Sequence, residues 1–136
     1  MLLPRLILAA GLFATTAVLA HETNGQHGGR VADAGQFHVE LVAKGDTVDV
    51  FVSDGSQKPV PANGFKGTAI LVVGGKSTRI PLEPADGNRL SGKASVALGE
   101  SPKGAVQLTA PDGATASGKF NRIQVLPGSL AQLGGA

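Results

Sequence analysis

Short stretches in which apolar and polar residues alternate, divided by turn residues, are the feature of this sequence that most limits its fold. The segment 36–44, QFHVELVAK, alternates in this way, and after the turn Gly45-Asp46 the segment TVDVFVS alternates again. Because successive side chains of a strand point to opposite faces, each segment predicts a strand with one buried face, and the short turn predicts a hairpin. The buried set that this alternation predicts consists of Phe37, Val39, Leu41, Val48, Val50 and Val52.

Later segments repeat the same arrangement. KGTAILVV and KSTRIPL flank Gly74-Gly75, RLSGKASVAL follows the turn ADGN, and GAVQLTAP and TASGKFNRIQV flank Pro111-Asp112-Gly113. Together these segments make about seven to eight short strands, spaced as in all-β domains, and no long stretch shows a helical period. The sequence therefore predicts an all-β fold, an antiparallel immunoglobulin-like β-sandwich.

The first 20 residues have the pattern of a cleavable signal peptide. Arg5 precedes an apolar run, and the small residues Val18 and Ala20 stand where a signal peptidase recognises its site. Cleavage after Ala20 makes His21 the new N-terminus, whereas cleavage after Ala17 is the alternative. We therefore predict a periplasmic or secreted protein without a membrane anchor after cleavage, divided into a signal peptide (1–20), a flexible His/Gly-rich segment (21–35), a β-sandwich domain (36–126) and a disordered tail (127–136).

Composition argues against several classes of function. The chain has 12 Lys and Arg against 10 Asp and Glu, and its aromatic residues are all Phe. Such a balance gives no field for nucleic acid or anionic lipid and no platform on which bases would stack. No nucleophile, base and orienting group occur together in a recognisable motif, so we do not expect an enzyme. Since there is no cysteine, disulfides and a lipoprotein anchor are excluded.

All three histidines of the chain fall within one window near the predicted N-terminus. His21, His27 and His38, with Glu40 or Asp33 as a fourth ligand, form a set of nitrogen and oxygen donors suited to a divalent transition metal. A free α-amine on His21 would add a donor. Copper(II) is preferred on the Irving–Williams order, with zinc or nickel as alternatives. Binding should weaken as the pH falls, because protons compete for the same nitrogens.

The alternative is that the histidines have no metal role. His38 is then a surface strand residue, His27 a loop residue and Glu40 a solvated strand residue. In that case the domain would be a structural or adaptor module that binds a protein partner. Apolar residues on the nominally outer face, Val42 and Phe51, would form the contact surface.

A family resemblance rests on the same residues. The stretches His27-Gly28-Gly29 and 35–42, GQFHVELV, resemble small exported bacterial proteins with an HGG…G-x-[YF]-H-x-E-L-V pattern, and they are similar to periplasmic modules of heavy-metal efflux adaptor subunits. The resemblance covers roughly residues 26–120. It implies an all-β periplasmic module associated with copper or other heavy metals. We therefore predict a protein that captures or buffers Cu(II) or a similar ion, with components of a heavy-metal efflux complex as predicted partners.

Overall fold

The computed structural model describes Gly11 and residues 23–99 and 101–121. These residues form strands joined by turns and by longer connections between β4 and β5 and between β7 and β8, and they contain no helix. The strands are β1 (Thr23–Asn24), β2 (Arg30–Ala34), β3 (Phe37–Lys44), β4 (Thr47–Ser53), β5 (Lys66–Val73), β6 (Lys76–Pro84), β7 (Arg89–Lys93), β8 (Lys103–Thr109) and β9 (Thr115–Phe120).

All nine described strands belong to one antiparallel sheet in the order β1-β2-β3-β4-β7-β6-β5-β8-β9. The sheet curls so that β9, at one end, packs against β2, near the other. Gly118 of β9 lies at this contact: a Cβ there would lie 3.5 Å from Ala32 Cβ on β2 and would collide with Val39 of β3, 2.7 Å from its Cγ2. The curl brings the inner faces of the strands together around one core.

The predicted all-β antiparallel fold is confirmed, whereas the immunoglobulin-like sandwich is not. The hairpins β3–β4, β5–β6 and β8–β9 follow the predicted turns. In the long segment predicted as a strand over 89–98, however, only β7 pairs with neighbours. A sandwich of two separate sheets does not result, because β6 pairs with β5 along most of its length and with β7 at its end.

The core follows the predicted alternation closely. Val39, Leu41 and three valines of β4 are buried, as predicted, while Phe37 at the strand end is only partly buried. Phe37 instead meets Phe65 edge to face, with ring centroids 5.3 Å apart. Side chains from the other half of the sheet complete the core, the largest fully buried ones being Leu71, Ile80, Leu90, Val106, Leu108 and Phe120.

Two strands lie in the segment for which the sequence predicted flexibility. β1 and β2 precede the first predicted strand, and β2 pairs with β3 across the tight turn Gly35-Gln36. The hydrophobic signal of β2 is weak because its inward positions are Arg30, Ala32 and Ala34. Small side chains fit there since β9 packs directly over β2.

Some predictions fall on other parts of the chain. The predicted signal peptide, its cleavage site, His21 and the predicted tail over 127–136 lie outside the described residues, apart from Gly11. The part of the chain that the structure describes holds no helix with the length and apolar character needed to cross a membrane.

Candidate functional site

A cleft of about 400 Å³ lies on the outer face of the sheet, where the β1–β2 loop crosses β3 and β4. His27 comes from that loop, and His38 and Glu40 come from β3. Because His38 and Glu40 are two residues apart on one strand, their side chains leave the same face about 7 Å apart. The cleft is also lined by Asn24, Gln26, Val31, Phe51, Ser53 and Gln57.

Glu40 is the centre of this arrangement. One carboxylate oxygen, Oε2, accepts hydrogen bonds from the backbone amides of His27, at 2.8 Å, and Gly29, at 2.9 Å. The other, Oε1, lies 2.8 Å from Nδ1 of the His27 ring. Glu40 is only 6% exposed although it points away from the core. The interpretation of Glu40 as a solvated strand residue is therefore wrong, because the β1–β2 loop covers it.

The glycines of the loop let it approach Glu40 this closely. A Cβ on Gly25 would lie 2.1 Å from the Glu40 carboxyl carbon, and one on Gly29 would lie 2.3 Å from the carbonyl oxygen of Leu41. The loop is closed by a hydrogen bond from the Gly25 amide to the Gly29 carbonyl, at 2.9 Å. The spacing of glycines around His27 is thus explained by packing over a buried carboxylate.

The ring of His27 lies flat on Phe51. The two ring centroids are 3.6 Å apart and the ring planes differ by 3°. Phe51 stands opposite Glu40 in the β3–β4 pairing, so one side chain supports the face of the imidazole while the other holds its Nδ1 edge. The apolar side chain that suggested a partner-binding face is therefore covered by a residue of the same chain.

His38 has a carboxylate partner of its own. Its Nδ1 lies 2.7 Å from Oδ1 of Asp33, which stands directly opposite it in the β2–β3 pairing. The Asp33 side chain is 72% exposed, whereas that of Glu40 is 7% exposed. His38 is thus held by a solvated carboxylate and His27 by a buried one.

The turn after β4 adds a third carboxylate near His38. Asp54 accepts hydrogen bonds from the backbone amides of Lys58, at 2.9 Å, and Ser56, at 2.8 Å. The bond from Lys58 is the largest cause that holds the pKa of Asp54 below its ordinary value. Desolvation opposes it, and the bond from Ser56 and the charges of Lys58 and His38 lower the pKa further. The turn carries Gln57, a lining residue, in a left-handed backbone conformation with φ of 64°.

The charges around the cleft favour a cation. None of its described lining residues is Lys or Arg, while Glu40 is one of them. Arg89, which stands opposite the lining residue Phe51, is engaged by Asp86 at 2.5 Å and by Asp49 at 3.3 Å. These two carboxylates, Asp86 first, raise the pKa of Arg89.

The carboxylate partners determine which imidazole nitrogen is available to a ligand. An ionised carboxylate can only accept a hydrogen bond, so Nδ1 of a neutral His27 or His38 must carry the proton. The lone pair of each ring is then on Nε2. A carboxylate on the far nitrogen of an imidazole is the arrangement that orients histidine ligands in metal sites. Each ring is thus in the form that binds a metal through Nε2.

The structure brings the predicted site residues together only in part. His27 and Glu40 form one contact pair, His38 and Asp33 form another, and His27, Glu40 and His38 line the same cleft. Within the described residues, no three His, Asp or Glu side chains converge as a ready-made metal-binding group. His21, the remaining predicted ligand, lies outside them.

Two contributions to the site were missed from the sequence. The support of His27 by Phe51 depends on a loop folding back over the sheet, and no local pattern indicates this. The pairing of Asp33 with His38 had a signal: a two-residue turn at Gly35-Gln36 places these residues opposite each other.

No protein-family model, curated protein or solved structure matches this chain. The resemblance to heavy-metal efflux modules therefore stays a prediction.

Proposed function

We propose that this protein is an exported metal-binding protein that captures or buffers a divalent transition-metal ion, with Cu(II) preferred and Zn(II) or Ni(II) as alternatives. The ion is bound at the cleft through Nε2 of His27 and Nε2 of His38. The periplasmic location and the link to heavy-metal efflux rest on the signal-peptide pattern and on the resemblance described above.

One observation carries the proposal: two imidazoles border one cleft, and each has a carboxylate at its Nδ1. A single histidine with such a partner is common in proteins. Two such histidines that line one cleft, with no Lys or Arg among its described lining residues, are suited to binding one ion together. Nitrogen donors of this kind suit Cu(II), Zn(II) and Ni(II), and Cu(II) binds most tightly among them for a given set of ligands.

The described residues give less support to the adaptor function. Of the two apolar residues that suggested a partner surface, Phe51 is stacked beneath His27 and Val42 is partly buried. We therefore favour the metal-binding function.

The test is a calorimetric titration of the exported protein with Cu(II) and with Zn(II), in a buffer that does not bind either ion. The N-terminus is first determined by mass spectrometry. Removing a residue that only orients a metal ligand lowers metal affinity about ten- to hundredfold. His38→Ala removes a ligand itself, so it should lower the affinity by at least this factor. Gln107→Ala, an exposed change on β8, is the matched control and should leave binding unchanged. Equal binding by the wild-type and His38→Ala proteins would exclude this site.

Asp33→Asn provides a milder variant at the same histidine. The asparagine oxygen still accepts from Nδ1 of His38 but has no charge, and Asp33 is well exposed. We expect the metal affinity of Asp33→Asn to fall by about tenfold, the lower end of the effect of removing a residue that orients a ligand. Asp112→Asn in the β8–β9 turn removes the same charge from a residue that does not line the cleft, and it serves as the control.

A further inference from the structure

We infer that Glu40 is a positioning residue for His27 and not a ligand of the ion: its carboxylate fixes the backbone, the ring orientation and the tautomer of His27 together. This inference rests on the proposed function for the part that concerns metal binding. It differs from the sequence-based prediction, in which Glu40 is a fourth ligand.

The hydrogen bonds of Glu40 leave it little capacity to bind an ion. Oε2 accepts from two backbone amides and Oε1 from the His27 ring, so three of the roughly four acceptor positions of a carboxylate are occupied. A metal bound to Oε2 would displace the hydrogen bonds from the amides of His27 and Gly29, which belong to the loop that covers Glu40. The Gly29 amide is buried, so its loss of a partner would be costly. Orientation of His27 is therefore the role that this geometry favours.

Three contacts hold the His27 ring in one position. The amide of His27 is fixed to Oε2, Nδ1 is fixed to Oε1, and the ring face is fixed on Phe51. Even so, the side chain of His27 is 43% exposed. A ring that is held along one edge and one face, yet reaches solvent, presents its remaining nitrogen to a ligand without further rearrangement. Ligands that are fixed before binding lose less freedom when they bind.

Replacement of Glu40 by glutamine provides a sharp test because a glutamine cannot satisfy all three donors. If its oxygen accepts from the two backbone amides, its NH₂ group faces Nδ1 of His27. Since NH₂ only donates, Nδ1 must then accept, and the proton moves to Nε2. Glu40→Gln should therefore convert His27 from the Nδ1-H to the Nε2-H tautomer and leave no lone pair on Nε2. Asp33→Asn is the matched control: its exposed amide is free to turn its oxygen to His38, so the tautomer of His38 should not change.

The tautomers are measured by long-range ¹H–¹⁵N correlation spectra of the metal-free exported protein, at a pH at which the imidazoles are neutral. We expect Nδ1-H for His27 in the wild type, Nε2-H in Glu40→Gln and Nδ1-H for His38 in Asp33→Asn. A merely structural role of Glu40 would not change the tautomer of His27 in a folded variant. If Glu40→Gln does not fold, as judged from the dispersion of its amide spectrum, the wild-type spectrum decides: an Nε2-H tautomer at His27 overturns the inference.

Zn(II) is the probe for the ligand question because it is diamagnetic. On addition of Zn(II) to the wild type, the ¹⁵N resonances of Nε2 of His27 and His38 should shift, and the ¹³C resonance of the Glu40 carboxyl group should stay unchanged. Folded Glu40→Gln should bind Zn(II) ten- to hundredfold more weakly. A large shift of the Glu40 carboxyl resonance would make Glu40 a ligand and overturn the inference. If the wild type binds neither Zn(II) nor Cu(II), the proposed function fails, while the tautomers still decide the positioning role.

Discussion

Gly25→Ala should open the β1–β2 loop, because the new methyl group and the carboxylate of Glu40 would compete for one space. The Cβ would lie 2.1 Å from Glu40 Cδ and 2.3 Å from Oε2. A free glutamate would rotate aside at little cost. This one, however, accepts hydrogen bonds from the amides of His27 and Gly29, so it cannot move without breaking them.

The size of the effect follows from those bonds. A hydrogen bond to a charged group contributes about 1.5–3 kcal/mol to the free energy of unfolding. Because the loop keeps part of its other contacts, we expect the loss of both bonds to lower the free energy of unfolding by about 3 kcal/mol. Gly28→Ala in the same loop is the comparison. Nothing lies within 4 Å of its Cβ, and only its positive φ of 80° opposes the substitution. The left-handed backbone alone costs an alanine about 1–2 kcal/mol.

Urea unfolding followed by circular dichroism measures both variants, since the chain has neither Trp nor Tyr for fluorescence. Amide hydrogen exchange at His27 and Gly29 adds a local reading, because the loss of the carboxylate contacts should expose these two amides before the sheet opens. If Gly25→Ala is no less stable than Gly28→Ala, and the two amides keep their protection, the carboxylate is not held against the loop as described.

Three further effects are expected. Leu41→Ala, in the core, should lower the free energy of unfolding by about 2–5 kcal/mol, whereas Val72→Ala, which is exposed, should change it by less than about 0.5 kcal/mol; comparable losses in urea titrations would contradict the assigned faces. Phe51→Leu should cost about 1 kcal/mol, as the stacking with His27 is lost while apolar volume is kept, and an unchanged midpoint would mean that the stacking adds nothing. Because the pKa of Asp54 is lowered, its ionised form stabilises the turn fully above the ordinary value of 3.8, and this contribution is lost as the pH falls through the lower value in the folded protein. Wild type and Asp54→Ala should therefore differ in thermal midpoint at neutral pH and converge in strong acid; a constant difference would refute this.

The sequence predicted those elements whose signal is local. β3 and β4 alternate cleanly between inward and outward residues, and the Gly74-Gly75 turn marks its hairpin without ambiguity. The sequence did not predict β2, because its inward residues are Arg30 and two alanines, which give only a weak hydrophobic alternation. The strand predicted over 89–98 was too long. It ends at Lys93, and the apolar residues Ala94 and Leu98 beyond it are buried without belonging to a strand.

Most of the candidate site depends on contacts that a strand pattern does not contain. That His38 and Glu40 share a face follows from their spacing of two residues. The burial of Glu40 does not, because it requires a loop 11 to 13 residues earlier in the chain to return over β3. A glutamate on the outer face of a strand is ordinarily solvated, and only the close approach allowed by Gly25 and Gly29 makes this one an internal acceptor.

The narrow pairing between β6 and β7 bears on the order in which the chain folds. The hairpins β3–β4 and β5–β6 form from neighbouring residues. Within the described residues, strand pairing joins the two halves of the sheet through two residue pairs, Glu83 with Ser91 and Pro84 with Leu90, besides the packing of β9 on β2. β7 must also close onto β4, which it reaches across some 40 residues. Because closing a long loop loses entropy before its contacts form, this step should be the slow one. Leu90, buried where the halves join, should then affect the folding rate more than residues within either hairpin, and the two halves should reach the native state together only once β7 has docked.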